Sequence, residues 1–280
     1  MLGQRVITAL LLVAIFLPAL FHPEPQSLAA LSLVLISLAG WEWGRLMGCQ
    51  PMVAIALGLA CLVVCVFSWW SGLVDSLTPV FWLTAVLIWV LGGGWMLRFG
   101  MARWLDVPMA LRCFIGLGLL WATWMALFCA KTIGTNFMLS VLLLVWMADI
   151  AAYFSGRAWG QRKLAPSISP GKSWEGVAGA VLGVAALALC WLQWDALRPE
   201  GSPSIYAILM NKSWLAMTLG LLLMTGMSVV GDLVESLLKR CAGVKDSSGL
   251  LPGHGGVLDR IDALLPTFPL ALCLYAWVRA

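Results

Sequence analysis

Acidic and basic side chains recur at helical spacing between residues 231 and 240. Asp232, Glu235, Ser236 and Lys239 stand at positions i, i+3, i+4 and i+7, so a helix would carry all four on one face. This segment continues directly from an apolar run, and a carboxylate at that depth is costly unless it has a partner or binds a metal. Two interpretations of this polar face stay open: a metal site, and an amphipathic helix end with an internal salt bridge.

A charged, glycine-rich loop follows this segment. It contains Lys245, Asp246, Pro252, Gly253, His254, Gly255, Gly256, Asp259, Arg260 and Asp262. Glycines on both sides of His254 let the backbone approach a ligand closely and turn amides toward an anion. Carboxylates beside basic side chains are typical of sites where Mg²⁺ bridges phosphate oxygens, because Mg²⁺ prefers hard oxygen ligands and shares them with substrate phosphates. His254 fits a capping or orienting role at least as well as a catalytic one.

A second polar loop begins where another apolar run ends, at Asp149. Its polar and basic residues include Tyr153, Arg157, Arg162, Lys163, Ser167, Ser169, Lys172, Ser173 and Glu175. The tripeptide Gly171-Lys172-Ser173 is not the end of a P-loop, because Pro166 stands where the first glycine would be required. The pattern instead indicates a basic, serine-rich segment leading into a helix whose N-terminus can hold a phosphate. Asp149 needs a partner at that depth, either Arg157 or a metal-bound substrate.

The composition decides which class of protein carries these loops. Hydrophobic residues make up 62% and charged residues 11% of the 280 residues, against about 45–50% and about 25% in ordinary soluble domains. So few charges exclude a soluble globular enzyme, and so many apolar residues exclude a disordered chain. We therefore predict an all-α polytopic integral membrane protein, because an open chain satisfies its own backbone in a bilayer only as a helix.

Uncharged apolar runs predict about nine transmembrane helices. The runs cover residues 6–21, 27–41, 52–70, 76–97, 113–130, 132–148, 176–194, 213–231 and 263–278. The first two are short and are separated by His22-Pro23-Glu24-Pro25, so they form either two short spans or one hairpin that dips into the membrane. Both arrangements begin and end on the same side, and the sidedness of the later runs is therefore the same.

Lysine and arginine predict that sidedness. With nine spans, one set of loops holds only Lys131, Arg198, Lys212 and Arg279 of the 17 basic residues. The other set, which includes Arg5 and both polar loops, is expected to be cytoplasmic by the positive-inside rule. This places the N-terminus in the cytoplasm, and topology rather than nucleic-acid binding accounts for most of the net charge of +4.

Charge also divides the chain along its length. Residues 149–262 hold 19 charged residues, and residues 1–148 hold 10. We therefore predict that 1–148 form a membrane scaffold and that 149–280 carry the chemistry, on cytoplasmic loops at 149–176 and 231–262. The sequence has no internal repeat and no inverted pair of broken helices, which disfavours a transporter.

Three segments resemble the phosphatidate cytidylyltransferase (CDP-diacylglycerol synthase) family. The longest fits that family's signature at every specified position and reads Ser236-x-Leu238-Lys239-Arg240-x₄-Lys245-Asp246-x-Ser248-x₂-Leu251-Pro252-x-His254-Gly255-Gly256-Val257-x-Asp259-Arg260-Ile261-Asp262. The family's second motif region is similar to Tyr153-Phe154-x-Gly156-Arg157 and Ser169-Pro170-x-Lys172-Ser173-Trp174-Glu175-Gly176, and its N-terminal pattern to Trp41-Glu42-Trp43. One small departure is Ile150-Ala151, where the family more often has Thr/Ser-Gly.

The resemblance implies an integral-membrane enzyme that joins CTP and phosphatidate into CDP-diacylglycerol and releases pyrophosphate. It implies a homodimer in the cell inner membrane, with the active site on the cytoplasmic side and no nucleic-acid partner. By analogy Asp232 and Asp259 would be metal ligands, joined in our assignment by Glu235. The cofactor would be Mg²⁺, alone or together with K⁺.

The same resemblance, with the loop chemistry above, assigns roles to the remaining candidates. The catalytic candidates are Lys239, Arg240, Lys245, Asp246, His254, Arg260 and Asp262. The substrate-binding candidates are Asp149, Arg157, Lys163, Ser169, Lys172, Glu175, Gly255 and Gly256. Basic residues of the first set would offset charge on the triphosphate or the leaving group, and those of the second would hold the phosphatidate head group or help to close the site.

Two other functions are alternatives at this point. A CDP-alcohol phosphotransferase-like lipid enzyme also uses acids and Mg²⁺, but its motif requires Asp-Gly-x₂-Ala-Arg, and Asp259-Arg260-Ile261-Asp262 lacks that frame. A lipid or ion transporter could carry acids within the membrane, but it would not need a cytoplasmic glycine-rich loop surrounded by basic residues.

Overall fold

The computed structural model describes residues 2–279, with side chains from residue 6 onward, so the Arg5 side chain used in the charge count lies outside the described part. Most of the chain is helical. The helices are α1 (Leu2–Phe21), α2 (Pro25–Leu46), α3 (Pro51–Trp70), α4 (Pro79–Leu87), α5 (Gly94–Asp106), α6 (Met109–Ile133), α7 (Thr135–Trp159), α8 (Trp174–Ala196), α9 (Ile205–Lys212), α10 (Trp214–Cys241), α11 (Leu258–Ile261) and α12 (Leu264–Arg279). A 3₁₀ turn (Leu73–Ser76) precedes α4, and a π-helical segment (Ile88–Gly93) joins α4 to α5.

Proline explains where several of these helices begin. Pro25, Pro51 and Pro79 stand in the first turns of α2, α3 and α4, where the missing backbone N–H would be unpaired anyway and the fixed φ suits a helix. At the other end of α2 the chain turns at Gly48, whose φ of 80° is a left-handed conformation that glycine adopts without strain.

Eight helices of the described chain are long and apolar enough to cross a membrane. They are Pro25–Leu46, Pro51–Trp70, Pro79–Asp106, Met109–Ile133, Thr135–Trp159, Trp174–Ala196, Trp214–Cys241 and Leu258–Arg279. A shorter apolar helix, Val6–Phe21, accompanies them. These elements correspond to the nine predicted apolar runs and confirm an all-α polytopic membrane protein. The first two runs form two separate helices, α1 and α2, which is compatible with both arrangements considered for them.

The polar loop between α7 and α8 contains a hairpin that the sequence pattern does not predict. Strands β1 (Lys163–Ala165) and β2 (Ser169–Ser173) pair antiparallel, with Lys163 opposite Ser173. Ser173 then caps α8, because its hydroxyl accepts the backbone N–H of Gly176 at 3.1 Å. The hairpin therefore leads straight into a helix N-terminus, and the cap fixes the junction.

Small residues let α7 and α8 pack closely. A Cβ atom at Gly179 would overlap the Ser155 side chain, and one at Gly183 would lie 2.6 Å from the Ala151 Cβ. Such small-residue contacts are typical of helix packing in membranes, where close backbone approach replaces the hydrophobic effect. The pairing places the last turns of α7, from Asp149 to Trp159, beside the first turns of α8.

The chain forms two compact units. The described residues of the first unit are 2–77, 96–132 and 235–262, and those of the second are 78–95, 133–234 and 263–279. Helix α10 contributes residues 214–234 to the second unit and 235–241 to the first. The two units do not coincide with the predicted scaffold (1–148) and chemistry-bearing part (149–280) of the chain. That division concerns where the chemistry lies, and it stays a prediction.

Candidate functional site

A cavity of about 390 Å³ lies in the second unit. Its walls come from the end of α7, the hairpin, the first turn of α8 and two residues of α10. The polar residues that line it are Asp149, Tyr153, Arg157, Ser169, Lys172, Ser173 and Asp232. A cavity of this size suits a small ligand or a head group. Five of the predicted site residues (Asp149, Arg157, Ser169, Lys172 and Asp232) thus share one cavity.

Lys172 and Asp232 form an ion pair in this cavity. Lys172 Nζ lies 2.6 Å from Asp232 Oδ2, and the two side chains are 25% and 33% exposed. Lys172 directly precedes Ser173, the residue that caps α8. Because solvent reaches both partners, their mutual attraction is weakened, and an incoming phosphate or cation can compete for either one.

Asp149 and Arg157, both on α7, are the other charged groups of the cavity. The Asp149 side chain is exposed and forms no hydrogen bond or salt bridge within the described chain. Arg157 is also exposed and donates to the Tyr153 hydroxyl oxygen at 3.3 Å. Of the two partners expected for Asp149, Arg157 is therefore engaged elsewhere, and the carboxylate is left open to a ligand.

Two predicted substrate-binding residues of the segment between α7 and the first turn of α8 lie outside the cavity lining. Glu175 accepts the backbone N–H groups of Gln161 and Arg162 at 3.2 to 3.3 Å, and it thereby ties the chain after α7 to the start of α8. Lys163 lies on β1 with an exposed side chain. Glu175 shapes the loop, whereas Lys163 is accessible to an anion near it.

Lys239 holds two carboxylates in the first unit. Its Nζ lies 2.6 Å from Asp259 Oδ1 and also pairs with Glu235 Oε2, one helical turn earlier on α10. The three side chains are between 3% and 13% exposed, so solvent screens them little. The salt bridge expected for an amphipathic helix end is therefore present, and it is extended by a third group from α11. These three residues are termed the Lys239 cluster.

The Asp259 carboxylate accepts further hydrogen bonds from the glycine-rich loop. Its Oδ2 accepts the Ser247 N–H at 2.9 Å, the Ser247 hydroxyl at 2.8 Å and the Gly256 N–H at 2.7 Å. Gly255 has a φ of 83°, and a Cβ atom there would lie 2.7 Å from Asp259 Oδ2. The predicted close approach of the loop backbone is thus made to a carboxylate of the protein.

Glu42 is a buried acid that sequence reasoning did not select. It is 0% exposed, and its carboxylate accepts hydrogen bonds from the Val257 N–H at 3.0 Å, the Leu258 N–H at 2.6 Å, the Ser247 hydroxyl at 3.2 Å and the Ser248 hydroxyl. A signal for it exists in the sequence. An acid stands between two tryptophans directly after an apolar run, where an unpartnered carboxylate is costly.

His254 contributes to the loop mainly through its backbone. Its carbonyl accepts Arg260 Nε at 3.0 Å and Nη2 at 2.5 Å, and its N–H donates to the Leu251 carbonyl at 2.8 Å. Leu251 also pairs with Gly255 in an isolated β-bridge. These contacts hold the loop through the His254 backbone, and the role of the His254 side chain stays a prediction.

The other charged candidates lie around this loop. The side chains of Arg240, Lys245, Asp246 and Arg260 are exposed, and that of Asp262 is half-buried. Arg240 Nη1 contacts the Val244 carbonyl at 3.5 Å. The basic members of this group are accessible to a polyanion from solution.

The three predicted metal ligands, Asp232, Glu235 and Asp259, do not form a preformed metal site. In the described part of the chain, no three His, Cys, Asp or Glu side chains are grouped so as to hold one. The three predicted ligands each contact a lysine: Asp232 pairs with Lys172, and Glu235 and Asp259 pair with Lys239. Mg²⁺ needs only one or two carboxylates when substrate phosphates complete its shell. The residues therefore fit a metal that arrives with a phosphate ligand, rather than a preformed cage.

Comparison with known proteins gives these residues a family context. Residues 3–278 match the Cytidylyltransferase family. A phosphatidate cytidylyltransferase of Pseudomonas aeruginosa is 39% identical over an alignment of 287 positions, which covers 99% of both chains. A phosphatidate cytidylyltransferase of Haemophilus influenzae is 47% identical over 146 residues, which cover 52% of this chain and 47% of that protein. One of Bacillus subtilis is 40% identical over 143 residues, which cover 51% of this chain and 48% of that protein. Since the first two matches extend over nearly the whole sequence, the chain belongs to the cytidylyltransferase family.

Proposed function

We propose that this protein transfers the cytidylyl group of CTP to phosphatidate, giving CDP-diacylglycerol and pyrophosphate for phospholipid biosynthesis. The observation that carries the proposal is the 39% identity, over 99% of both chains, with a phosphatidate cytidylyltransferase. The polar cavity beside an apolar helix pair supports it, because the acceptor is a phosphate group attached to a lipid.

The reaction joins two anions. A phosphate oxygen of phosphatidate attacks the α-phosphorus of CTP, and a P–O bond forms there. The bond from the α-phosphorus to the bridging oxygen breaks, and pyrophosphate leaves with that electron pair. A phosphomonoester has a second pKa of about 6, so the nucleophile is largely ionised at neutral pH and no general base is assigned. The barrier lies in bringing like charges together, which calls for positioning and electrostatic stabilisation.

Basic side chains of the two loops supply that stabilisation. Lys172 and Arg157 line the cavity, and together with Lys163 they are assigned to the phosphatidate head group. The residues assigned to the triphosphate and the departing pyrophosphate are Lys239, Arg240, Lys245 and Arg260. Lys239 differs from the others because it is already paired with two carboxylates, so its part is to hold Asp259 in place as well as to contribute charge.

Mg²⁺, alone or with K⁺, is the proposed cofactor. When bound it would neutralise charge on the substrate phosphates. Asp232, Asp259 and Glu235 are the residues assigned to hold it, and the metal would take the place of the lysine that each carboxylate now contacts. The exposed carboxylate of Asp149 is an additional oxygen donor in the cavity.

We also place the protein in the cell inner membrane as a homodimer, with the N-terminus and both loops in the cytoplasm. The asymmetry of lysine and arginine supports this sidedness. So does the chemistry, since the lipid arrives from the bilayer and CTP from the cytoplasm. Protease digestion of an N-terminal tag in inverted vesicles, with protection in intact spheroplasts, tests the sidedness.

An assay on membranes that contain the protein tests the reaction. With CTP, phosphatidate and Mg²⁺, we expect equal amounts of pyrophosphate and CDP-diacylglycerol, and neither product from membranes without the protein. Chelation of Mg²⁺ should stop both. Release of CMP from added CDP-diacylglycerol, without pyrophosphate from CTP, would instead assign the protein to the CDP-alcohol phosphotransferases.

A further inference from the structure

Glu42 binds a segment of the chain that lies more than 200 residues after it. Its four donors are two backbone N–H groups and two serine hydroxyls, all between residues 247 and 258. The Leu258 N–H belongs to the first turn of α11, where backbone donors have no partner within the helix. One side chain of α2 therefore holds the end of the glycine-rich loop and the start of the helix that carries Asp259.

Ser247 connects Glu42 to Asp259. Its hydroxyl oxygen lies 3.2 Å from Glu42 Oε2 and 2.8 Å from Asp259 Oδ2. A hydroxyl has a single proton to donate, so the two carboxylates compete for it, while the Ser247 N–H bonds to Asp259 as well. If Glu42 becomes a weaker or stronger hydrogen-bond acceptor, the hydrogen bond from the Ser247 hydroxyl to Asp259 will therefore change as well.

Gly256 shows how closely these groups are packed. A Cβ atom at Gly256 would overlap both the Glu42 carboxylate and the Ser247 hydroxyl. The glycine that follows His254 and Gly255 in the loop is thus required by a protein carboxylate inside the first unit. The loop conformation and the position of Glu42 depend on each other.

We infer that Glu42 is a positioning residue for the cytidylyl transfer: it fixes the loop of residues 247–258, and through Ser247 it sets the orientation of Asp259. This inference rests on the proposed function. Glu42 is completely buried, so it does not touch a substrate itself and acts through the loop. An acid in the first 148 residues thereby belongs to the active site, although that part of the chain is predicted to be a scaffold.

Two substitutions separate the effect of the Glu42 charge from that of its side-chain length. Glu42→Gln keeps the size but puts an NH₂ group against protein donors, so at least one buried donor loses its acceptor. Glu42→Asp keeps the charge but withdraws the oxygens by about 1.5 Å, the length of one C–C bond. Glu24→Gln is the matched control, because Glu24 precedes the same helix and is exposed.

Purified full-length protein in detergent micelles that contain phosphatidate gives the kinetic test. We expect Glu42→Gln to lower kcat about 100-fold, as loss of alignment at a reacting centre does, with a much smaller effect on the KM for CTP. Glu42→Asp should lie between Glu42→Gln and the wild type, and Glu24→Gln should match the wild type. Hydrogen exchange at the Val257 and Leu258 amides should be faster in Glu42→Gln, while exchange in α7 and α8 is unchanged.

A merely structural role predicts a different result. If kcat per folded molecule is unchanged in Glu42→Gln, or if the two amides keep their protection, the inference is wrong. Should Glu42→Gln not fold, Ser248→Ala removes one donor to Glu42 and the acceptor of the exposed Leu250 N–H, and it must lower kcat per folded molecule. Absence of CTP-dependent activity in the wild type would overturn the proposed function instead, and the exchange measurement would still report whether Glu42 anchors the loop.

Discussion

The two units use their carboxylates in opposite ways. In the first, Glu42 and Asp259 are enclosed by the loop that they bind. Each accepts three hydrogen bonds from protein groups, and the two compete for the Ser247 hydroxyl proton. In the second, Asp149 is exposed and Asp232 is 33% exposed in an open cavity. The enclosed acids are committed to one conformation of the protein, whereas the open acids still have room for a ligand.

The enclosed acids of the first unit hold the loop in one conformation, whereas the open acids of the second unit can bind a ligand. Buried charges are expensive to leave unpaired, so the first unit should lose stability when one of its buried charges is removed. Partly exposed charges are worth little to stability but can be worth much to a transition state. Substitutions in the two units should therefore affect different observables, and each prediction compares the two.

The largest effect is expected for Lys239→Met. The substitution leaves Glu235 and Asp259 buried without their shared cation, and removing one partner of a buried ion pair costs about 3–5 kcal/mol. We expect a large fall in the melting temperature in detergent together with loss of activity. Lys245→Met is the control for stability, because Lys245 is exposed. Equal melting temperatures for the two variants would show that the Lys239 cluster is not a buried ion pair.

Asp232→Asn should affect activity much more than stability. Loss of one electrostatic group at a reacting centre lowers the rate about 10²–10³-fold, while the partly exposed pair with Lys172 contributes about 1 kcal/mol or less to folding. Activity and melting temperature of the same preparation measure both. Asp106→Asn is the matched control, because Asp106 forms an exposed pair with Arg103. A fall in melting temperature like that of Lys239→Met would contradict the contrast between the units.

The sequence predicts the elements of this protein better than the contacts between distant segments. Apolar runs are local signals, and they locate the nine apolar helices of the described chain. Pro25, Pro51 and Pro79 mark where three of these helices begin. The hairpin before α8 has no such signal, because β1 has three residues and β2 begins with Ser-Pro-Gly. Contacts at its two ends hold it, because Glu175 accepts the Gln161 and Arg162 N–H groups and Ser173 caps α8.

The candidate site shows the same limit. Asp149, Lys172 and Asp232 were selected for their residue types at the ends of apolar runs, and they do share a cavity. Glu42 also follows an apolar run, but the sequence does not show its role, because its partners lie over 200 residues away. The pattern also cannot show that Glu175 turns toward the backbone of Gln161 rather than toward the cavity.

A pair of alanine substitutions at glycine sharpens the comparison further. Gly256→Ala would push a methyl group into Glu42 and Ser247, whereas a Cβ atom at Gly171, in the cavity lining, meets nothing within 4 Å. Overpacking costs about 1–3 kcal/mol, so we expect Gly256→Ala to lower the melting temperature and Gly171→Ala to leave it unchanged. Equal stability of the two variants would mean that the loop is as open as the cavity.

The smallest effect is expected at the helix cap beside the cavity. Ser173→Ala removes the hydroxyl that accepts the Gly176 N–H, and loss of an N-cap costs about 1 kcal/mol. Ser167→Ala, at an exposed position in the hairpin turn, should cost nothing. Because Lys172 directly precedes the cap, Ser173→Ala should also raise the KM for phosphatidate while Ser167→Ala does not. A melting temperature that falls without any change in this KM would show that the cap supports the helix alone and not the placement of Lys172.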